Sequence, residues 1–89
     1  MFFYAYILES AKDGNHYIGY TSDLKRRFEE HNQGQSTATS LRRPLKLIYY
    51  EACLDERDAK QRERYLKTTA GRRFLAKRLR YFRRPSLAS

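Results

Sequence analysis

Hydrophobic side chains crowd the first residues and then recur at intervals that separate strands from helices. Residues 2–9 are mostly aromatic and aliphatic, which predicts a strand with Tyr4, Tyr6 and Leu8 on one face and Phe3, Ala5 and Ile7 on the other. Lys12-Asp13-Gly14-Asn15 is a turn signal in which Gly14 takes positive φ at little cost. Residues 16–21 then predict a second strand, antiparallel to the first. Gly19 is unusual inside it, because a strand glycine is costly and often marks a close approach of backbone or ligand.

Ser22 or Asp23 can cap a helix running to about His31. At 100° per residue, Leu24, Arg27, Phe28 and His31 share one stripe, so two apolar residues share their inward face with an arginine and a histidine. Residues 32–43 lack hydrophobic periodicity and read as a flexible loop ended by Pro44. Residues 45–51 predict a third strand, with Leu45, Leu47 and Tyr49 alternating with Lys46, Ile48 and Tyr50. Residues 55–69 predict a helix with Ala59, Arg62, Glu63 and Leu66 on one stripe, broken or bent at Gly71 or Thr68-Thr69. A last, basic helix over about 72–81 groups Phe74, Leu75, Arg78 and Leu79, and Arg83-Arg84-Pro85 leads into a frayed end. The order β-β-α-β-α-α defines an α+β class: a small three-stranded antiparallel sheet flanked by helices.

Composition narrows the function. A chain of 89 residues has room for one core, expected over 1–82 with a basic tail at 83–89. Cys53 is the only cysteine, so there is no internal disulfide and no four-thiolate zinc site. No apolar run approaches membrane length and no signal peptide is evident, which leads us to expect a cytoplasmic protein with no membrane partner. The net charge of +9 is unevenly placed: residues 1–63 carry ten basic and ten acidic side chains, and 64–89 carry nine basic and none acidic. Thirteen of the 19 basic residues are arginine, which suits bidentate contact with phosphates. The expected partner is nucleic acid, met by segment 64–89, and composition alone does not separate DNA from RNA.

Four features could carry chemistry together. Tyr6 and Tyr17 can face each other across the first hairpin, and Gly19 leaves room beside them. Arg27 and His31 project one turn apart, and Glu63 lies on the inward face of its helix. Phosphodiester hydrolysis needs a base for water, positive charge for the developing anion and help for the leaving oxygen. Glu63 suits a Mg²⁺ ion, which keeps several waters and needs few protein ligands. Arg27 suits the phosphate, and His31 or a tyrosine suits proton relay. Each residue also has a plain structural role available. The tyrosines can form a cross-strand pair worth about 0.2–1 kcal/mol. His31 can favour a helix end, and Arg27 with Glu63 can form an ion pair between helices.

In this order the residues resemble the GIY-YIG nuclease superfamily, specifically its small stand-alone branch. Tyr4-Ala5-Tyr6-Ile7-Leu8 takes the place of the first motif, with Tyr6 at the tyrosine of "GIY" and Tyr4 where its glycine would be. Tyr17-Ile18-Gly19 is the second motif intact, followed by Thr21 and Leu24. Arg27, His31 and Glu63 match the helix arginine, the histidine one turn on and the metal-binding glutamate. Pro44, Tyr50-Glu51 and the Glu63…Leu66-Lys67 run also resemble this branch. The likeness covers roughly residues 2–80. It implies one divalent ion, Mg²⁺ or Mn²⁺, on Glu63, with Tyr6 or His31 relaying the proton of water, Tyr17 positioning phosphate or water, and Arg27 stabilising charge. The implied activity is metal-dependent endonuclease or nickase action on DNA with low intrinsic sequence specificity, as in DNA repair. The alternative is a nucleic-acid-binding module with little activity until a partner protein joins it. The superfamily's well-understood members use a second domain to recognise DNA; segment 64–89 is the substitute candidate here.

Overall fold

The strand that comes first in sequence lies in the middle of the sheet. In the computed structural model, which describes residues 1–82, β1 (Phe3–Ser10) pairs antiparallel with β2 (His16–Thr21) on one side and β3 (Leu45–Cys53) on the other. With α1 (Leu24–Asn32), α2 (Glu56–Leu66) and α3 (Thr69–Arg78), the order is the α+β arrangement expected from sequence. The tail expected at 83–89 lies outside the described residues. No helix among those described is long and apolar enough to cross a membrane.

A central strand is covered on both faces, and β1 has the residues for it: Ala5, Tyr6, Ile7 and Leu8 are each at most 1% exposed. Ala5 and Ile7 pack with Leu66 and Leu75, and Ile18, Tyr49, Tyr65 and Phe74 close in around them. Burying each isoleucine or leucine side chain contributes about 1.5–3 kcal/mol. The opposite face, carrying Tyr4, Tyr6 and Leu8, lies under α1. The alternation read for β3 breaks at one place. Ile7 pairs with Tyr49 but Leu8 pairs with Leu47, so Ile48 is a bulge and both Ile48 and Tyr49 reach the core under α2 and α3.

Between α2 and α3 the chain turns earlier than the hydrophobic pattern suggests. Thr68 makes the turn: its Oγ1 donates to the Tyr65 carbonyl (2.6 Å) and accepts from the Gly71 N–H (3.0 Å), capping α3. Gly71 is therefore not the breaker. It lies within α3, where a β-carbon would collide with the Tyr65 carbonyl. Arg62 joins α2 to β3 through two bonds to Glu51, of 2.7 and 2.9 Å, and lies over the Tyr65 and Phe74 rings.

The segment read as a flexible loop is held in place by polar side chains and backbone, which leave no hydrophobic period to detect. Ser36 and Thr39 are buried, and a 3-10 turn follows at Ser40–Arg42. Ser10 Oγ donates to the Arg42 carbonyl (2.7 Å). Asn32 brackets Leu45, accepting its N–H at 2.8 Å and donating to its carbonyl at 2.9 Å.

Candidate active site

Tyr6 projects from β1 beneath α1, and its partner across the hairpin is Gly19, not Tyr17. Tyr17 lies diagonally, opposite Leu8, with its ring edge-on to Tyr6 at 6.3 Å between centroids and 70° between planes. The direct facing expected from sequence is thus displaced by two residues along the strand. Gly19 has a concrete reason to be glycine, since a β-carbon there would sit 2.5 Å from Tyr6 Cζ and Oη. The close approach is made by the tyrosine ring itself, which leans across β2 with its hydroxyl over the glycine.

His31, in the last turn of α1, is 0% exposed, far from the solvated helix-end role available to it. Its Nε2 lies 2.9 Å from Tyr6 Oη and its Nδ1 lies 2.7 Å from Thr39 Oγ1. The imidazole also packs against both tyrosines, 5.0 Å from the Tyr17 ring and 5.9 Å from Tyr6. Burial pushes the His31 pKa below 6.5, and the Arg27 charge pushes it further, with Glu30 opposing. The ring is therefore neutral at physiological pH and carries one N–H. Either ring nitrogen can carry that proton: the Tyr6 and Thr39 hydroxyls each donate or accept, and the Tyr6 oxygen can accept from both Arg27 and an Nε2–H.

Burial pushes the Tyr6 pKa up to about 12, with the Tyr17 and Glu63 charges adding and Arg27 opposing. At pH 7 about one Tyr6 in 10⁵ would be ionised, so the phenol cannot act as a pre-formed base. Burial works against the Arg27 charge, but hydrogen bonds to Glu30 and Tyr6 more than offset it, and its pKa moves up. The bond to Glu30 Oε1 is 3.1 Å.

Glu63 comes from α2, on the far side of the sheet from α1, and its charge is felt at Tyr6. Its partner is Lys67, one turn on, so the Arg27–Glu63 ion pair open from sequence does not form: Arg27 pairs with Glu30 instead. The Glu63 side chain is 19% exposed, a carboxylate reachable from solvent. Among the described residues no three His, Cys, Asp or Glu side chains gather as a metal cage. A single carboxylate suits a hard, water-retaining ion such as Mg²⁺ and excludes a site that demands several protein ligands.

The structure thus brings Tyr6, Tyr17, Arg27 and His31 into contact or close range, with Glu63 electrostatically coupled to them. Two members had escaped notice. Thr39 lay in a stretch read only as loop, and Glu30, which anchors Arg27, is visible in sequence merely as an i+3 acid on a helix.

Such a cluster, built on a three-stranded sheet with its arginine and histidine on the first helix, matches one catalytic domain. The GIY-YIG catalytic domain aligns with residues 2–79, and the chain belongs to the GIY-YIG family, a family of nuclease domains. Within it, the chain is similar to small UPF0213 proteins. It is 44% identical over 66 residues to one from Bacillus pumilus, covering 73% of this chain and 66% of the relative. It is 42% identical over 67 residues to YazA of Bacillus subtilis, covering 74% of this chain and 65% of the relative. The match therefore spans slightly under two thirds of these relatives' own length. The solution structure of the UPF0213 protein BH0048 from Bacillus halodurans superposes with a TM-score of 0.53 at 32% identity, over 86% of this chain and 84% of that one.

Proposed function

We propose that this chain hydrolyses phosphodiester bonds in nucleic acid, DNA first, as a metal-dependent endonuclease or nickase with low intrinsic sequence specificity. The observation that carries the reading is the buried chain Tyr6–His31–Thr39, with a neutral imidazole whose Nε2 lies 2.9 Å from the tyrosine hydroxyl. A buried His–Tyr pair beneath a cationic arginine is more than packing requires, and it has the parts for proton removal beside an anion.

In this reading the attacking water gives its proton to Tyr6 Oη as the Tyr6 O–H passes to His31 Nε2. The imidazolium so formed keeps its Nδ1–H bond to Thr39. Tyr6 and His31 act together as one base in this reading. The relay also avoids an ionised phenol, the species that a pKa of about 12 makes scarce. Arg27, held by Glu30, faces the charge that builds on the phosphate. Tyr17, its ring tilted against His31, orients phosphate or water. Glu63 would hold the divalent ion, displacing Lys67. When bound, that ion supplies acidity to water and positive charge to the leaving oxygen. One such site cuts one strand at a time. The seven lysines and arginines of residues 64–82 are all exposed and supply attraction for the polyanion.

The test is cleavage of end-labelled duplex, single-stranded, flapped and branched DNA with matched RNA, in Mg²⁺, Mn²⁺ or chelator. Glu63→Ala is expected to lower cleavage at least about 100-fold, since loss of the ion removes several kcal/mol of transition-state stabilisation. Its melting temperature should stay near wild type, because an i,i+4 pair contributes only about 0.3–0.5 kcal/mol. Metal-independent cleavage, or cleavage that survives Glu63→Ala, would refute the reading. Binding without cleavage on every substrate would instead favour the nucleic-acid-binding module.

A further inference from the structure

On the far side of β2 from Tyr17 there is a second feature. Side chains alternate along a strand, so Tyr17 faces the site just described while its neighbours His16 and Ile18 face the opposite way. They line a cleft of about 450 Å³ together with Gly14, Asn15 and Arg42 at the hairpin end and Arg72, Leu75 and Ala76 of α3. Its floor, formed by Ile18, Leu75 and Ala76, is apolar. Its rim carries two guanidiniums and the Asn15 amide.

No ion pair ties Arg42 or Arg72 to a carboxylate among the described residues. Arg26, Arg27, Arg57 and Arg62 each have an acidic partner, while Arg43, Arg64 and Arg73 resemble Arg42 and Arg72 in having no such ion pair among the described residues. Two acids do lie near the rim. Glu9 bonds to His16 at 3.1 Å. Asp13 is held below its ordinary pKa first by the Asn15 N–H, then by Ser10, Arg42 and Lys12, with partial desolvation opposing. Neither neutralises Arg72. The positive end of α3 adds to the cationic side, since Arg72 lies in its first turn.

β2 is an edge strand, and no further strand pairs beyond it among the described residues. A strand of nucleic acid can pass over this edge from one face of β2 to the other. We propose that the cleft is a second, flanking phosphate site: it takes a nucleotide of the strand being cut, with its phosphate between Arg42 and Arg72 and its sugar or base against Ile18, Leu75 and Ala76. The proposal rests on the nuclease reading and extends it, because it places substrate on both faces of β2. It also gives the chain grip on the backbone without base readout, in keeping with low sequence specificity.

The experiment uses the full chain carrying Glu63→Ala, so that labelled DNA is bound and not cut. Affinity is read by fluorescence anisotropy across a salt series. Arg42→Gln with Arg72→Gln is compared with the charge-matched control Lys25→Gln with Arg57→Gln. Losing one phosphate contact should weaken duplex binding about eightfold at 0.1 M salt and flatten the log–log salt slope by about 0.9. The control should stay within about twofold. In wild-type background, the Arg42/Arg72 pair should raise KM on long substrates and leave kcat nearly unchanged, as expected for uniform binding. Amide resonances of Asn15 and Ala76 should shift when the Glu63→Ala protein meets DNA, and should stay still in the arginine double variant. If the two double variants bind alike while wild type still cuts, the flanking site is overturned and the nuclease reading survives. If the Glu63→Ala protein and the wild type bind no nucleic acid at all, both fall.

Discussion

Replacing Gly19 by alanine tests the geometry of the site most sharply, because the effect is steric and its source is one ring. A β-carbon at 2.5 Å from Tyr6 Cζ and Oη must move to an ordinary contact near 3.4 Å, so the ring shifts by roughly 0.9 Å. Tyr6 is 1% exposed and has nowhere to go except against its own hydrogen bond to His31, now 2.9 Å. Overpacking a core position costs about 1–3 kcal/mol. A buried partner left unpaired costs about 1–3 kcal/mol more. Taking about 2–6 kcal/mol in all, and about 4–8 °C per kcal/mol for a domain of this size, thermal melting by circular dichroism should fall by at least about 8 °C. The proposed cleavage should fall further than stability explains, since about 1 Å of misplacement at a reacting group costs on the order of 100-fold. Gly14→Ala is the contrasting control. Nothing lies within 4 Å of its new β-carbon, and only the left-handed backbone at φ +75 resists, so it should lose about 1–2 kcal/mol while kcat, set on the other face of β2, stays near wild type. A Gly19→Ala protein that melts within about 3 °C of wild type and cuts normally would show that the Tyr6 ring does not cover this glycine.

Thr39→Val removes the hydroxyl partner of His31 Nδ1 while keeping the shape. It should destabilise the fold by about 1–3 kcal/mol, slow cleavage at least about tenfold and move the acidic limb of the pH–rate profile; Thr39→Ser should restore all three. Stability should also fall with acid before any carboxylate titrates. The unfolded chain's histidine takes a proton as pH drops through about 6.5, whereas buried His31 resists it, so the folded state loses ground below that pH. Urea midpoints between pH 7.5 and 5 should therefore drop more in wild type than in His31→Gln, and equal drops would remove burial as the cause.

The parts of this molecule legible in its sequence are those carried by spacing. Arg27 and His31 one turn apart, Glu63 on the inward stripe of α2 and Gly19 inside β2 all mark themselves, because a polar or missing side chain interrupts an apolar pattern. What sequence could not supply was pairing. The diagonal placement of Tyr17 depends on register, which no residue type announces. The bulge at Ile48 looks identical to regular alternation until the partner strand is aligned. Thr39 is the clearest loss. It sits in a segment ordered by hydrogen bonds to side chains and carbonyls, so it has no periodicity, and its importance comes entirely from a histidine eight positions away. Thr68 was marked as a breaker on residue type, yet only the structure shows that it caps the following helix.

The central position of β1 has a consequence for a chain made from its N-terminus. Residues 3–32 supply β1, β2 and α1, and already contain both tyrosines, Arg27 and His31. One long edge of β1 then stays bare until β3, more than thirty residues later, arrives to pair with it. Thr39 comes before that pairing and Glu63 after it. Glu63, the carboxylate proposed to hold a metal, is thus the last part of the proposed site to be synthesised.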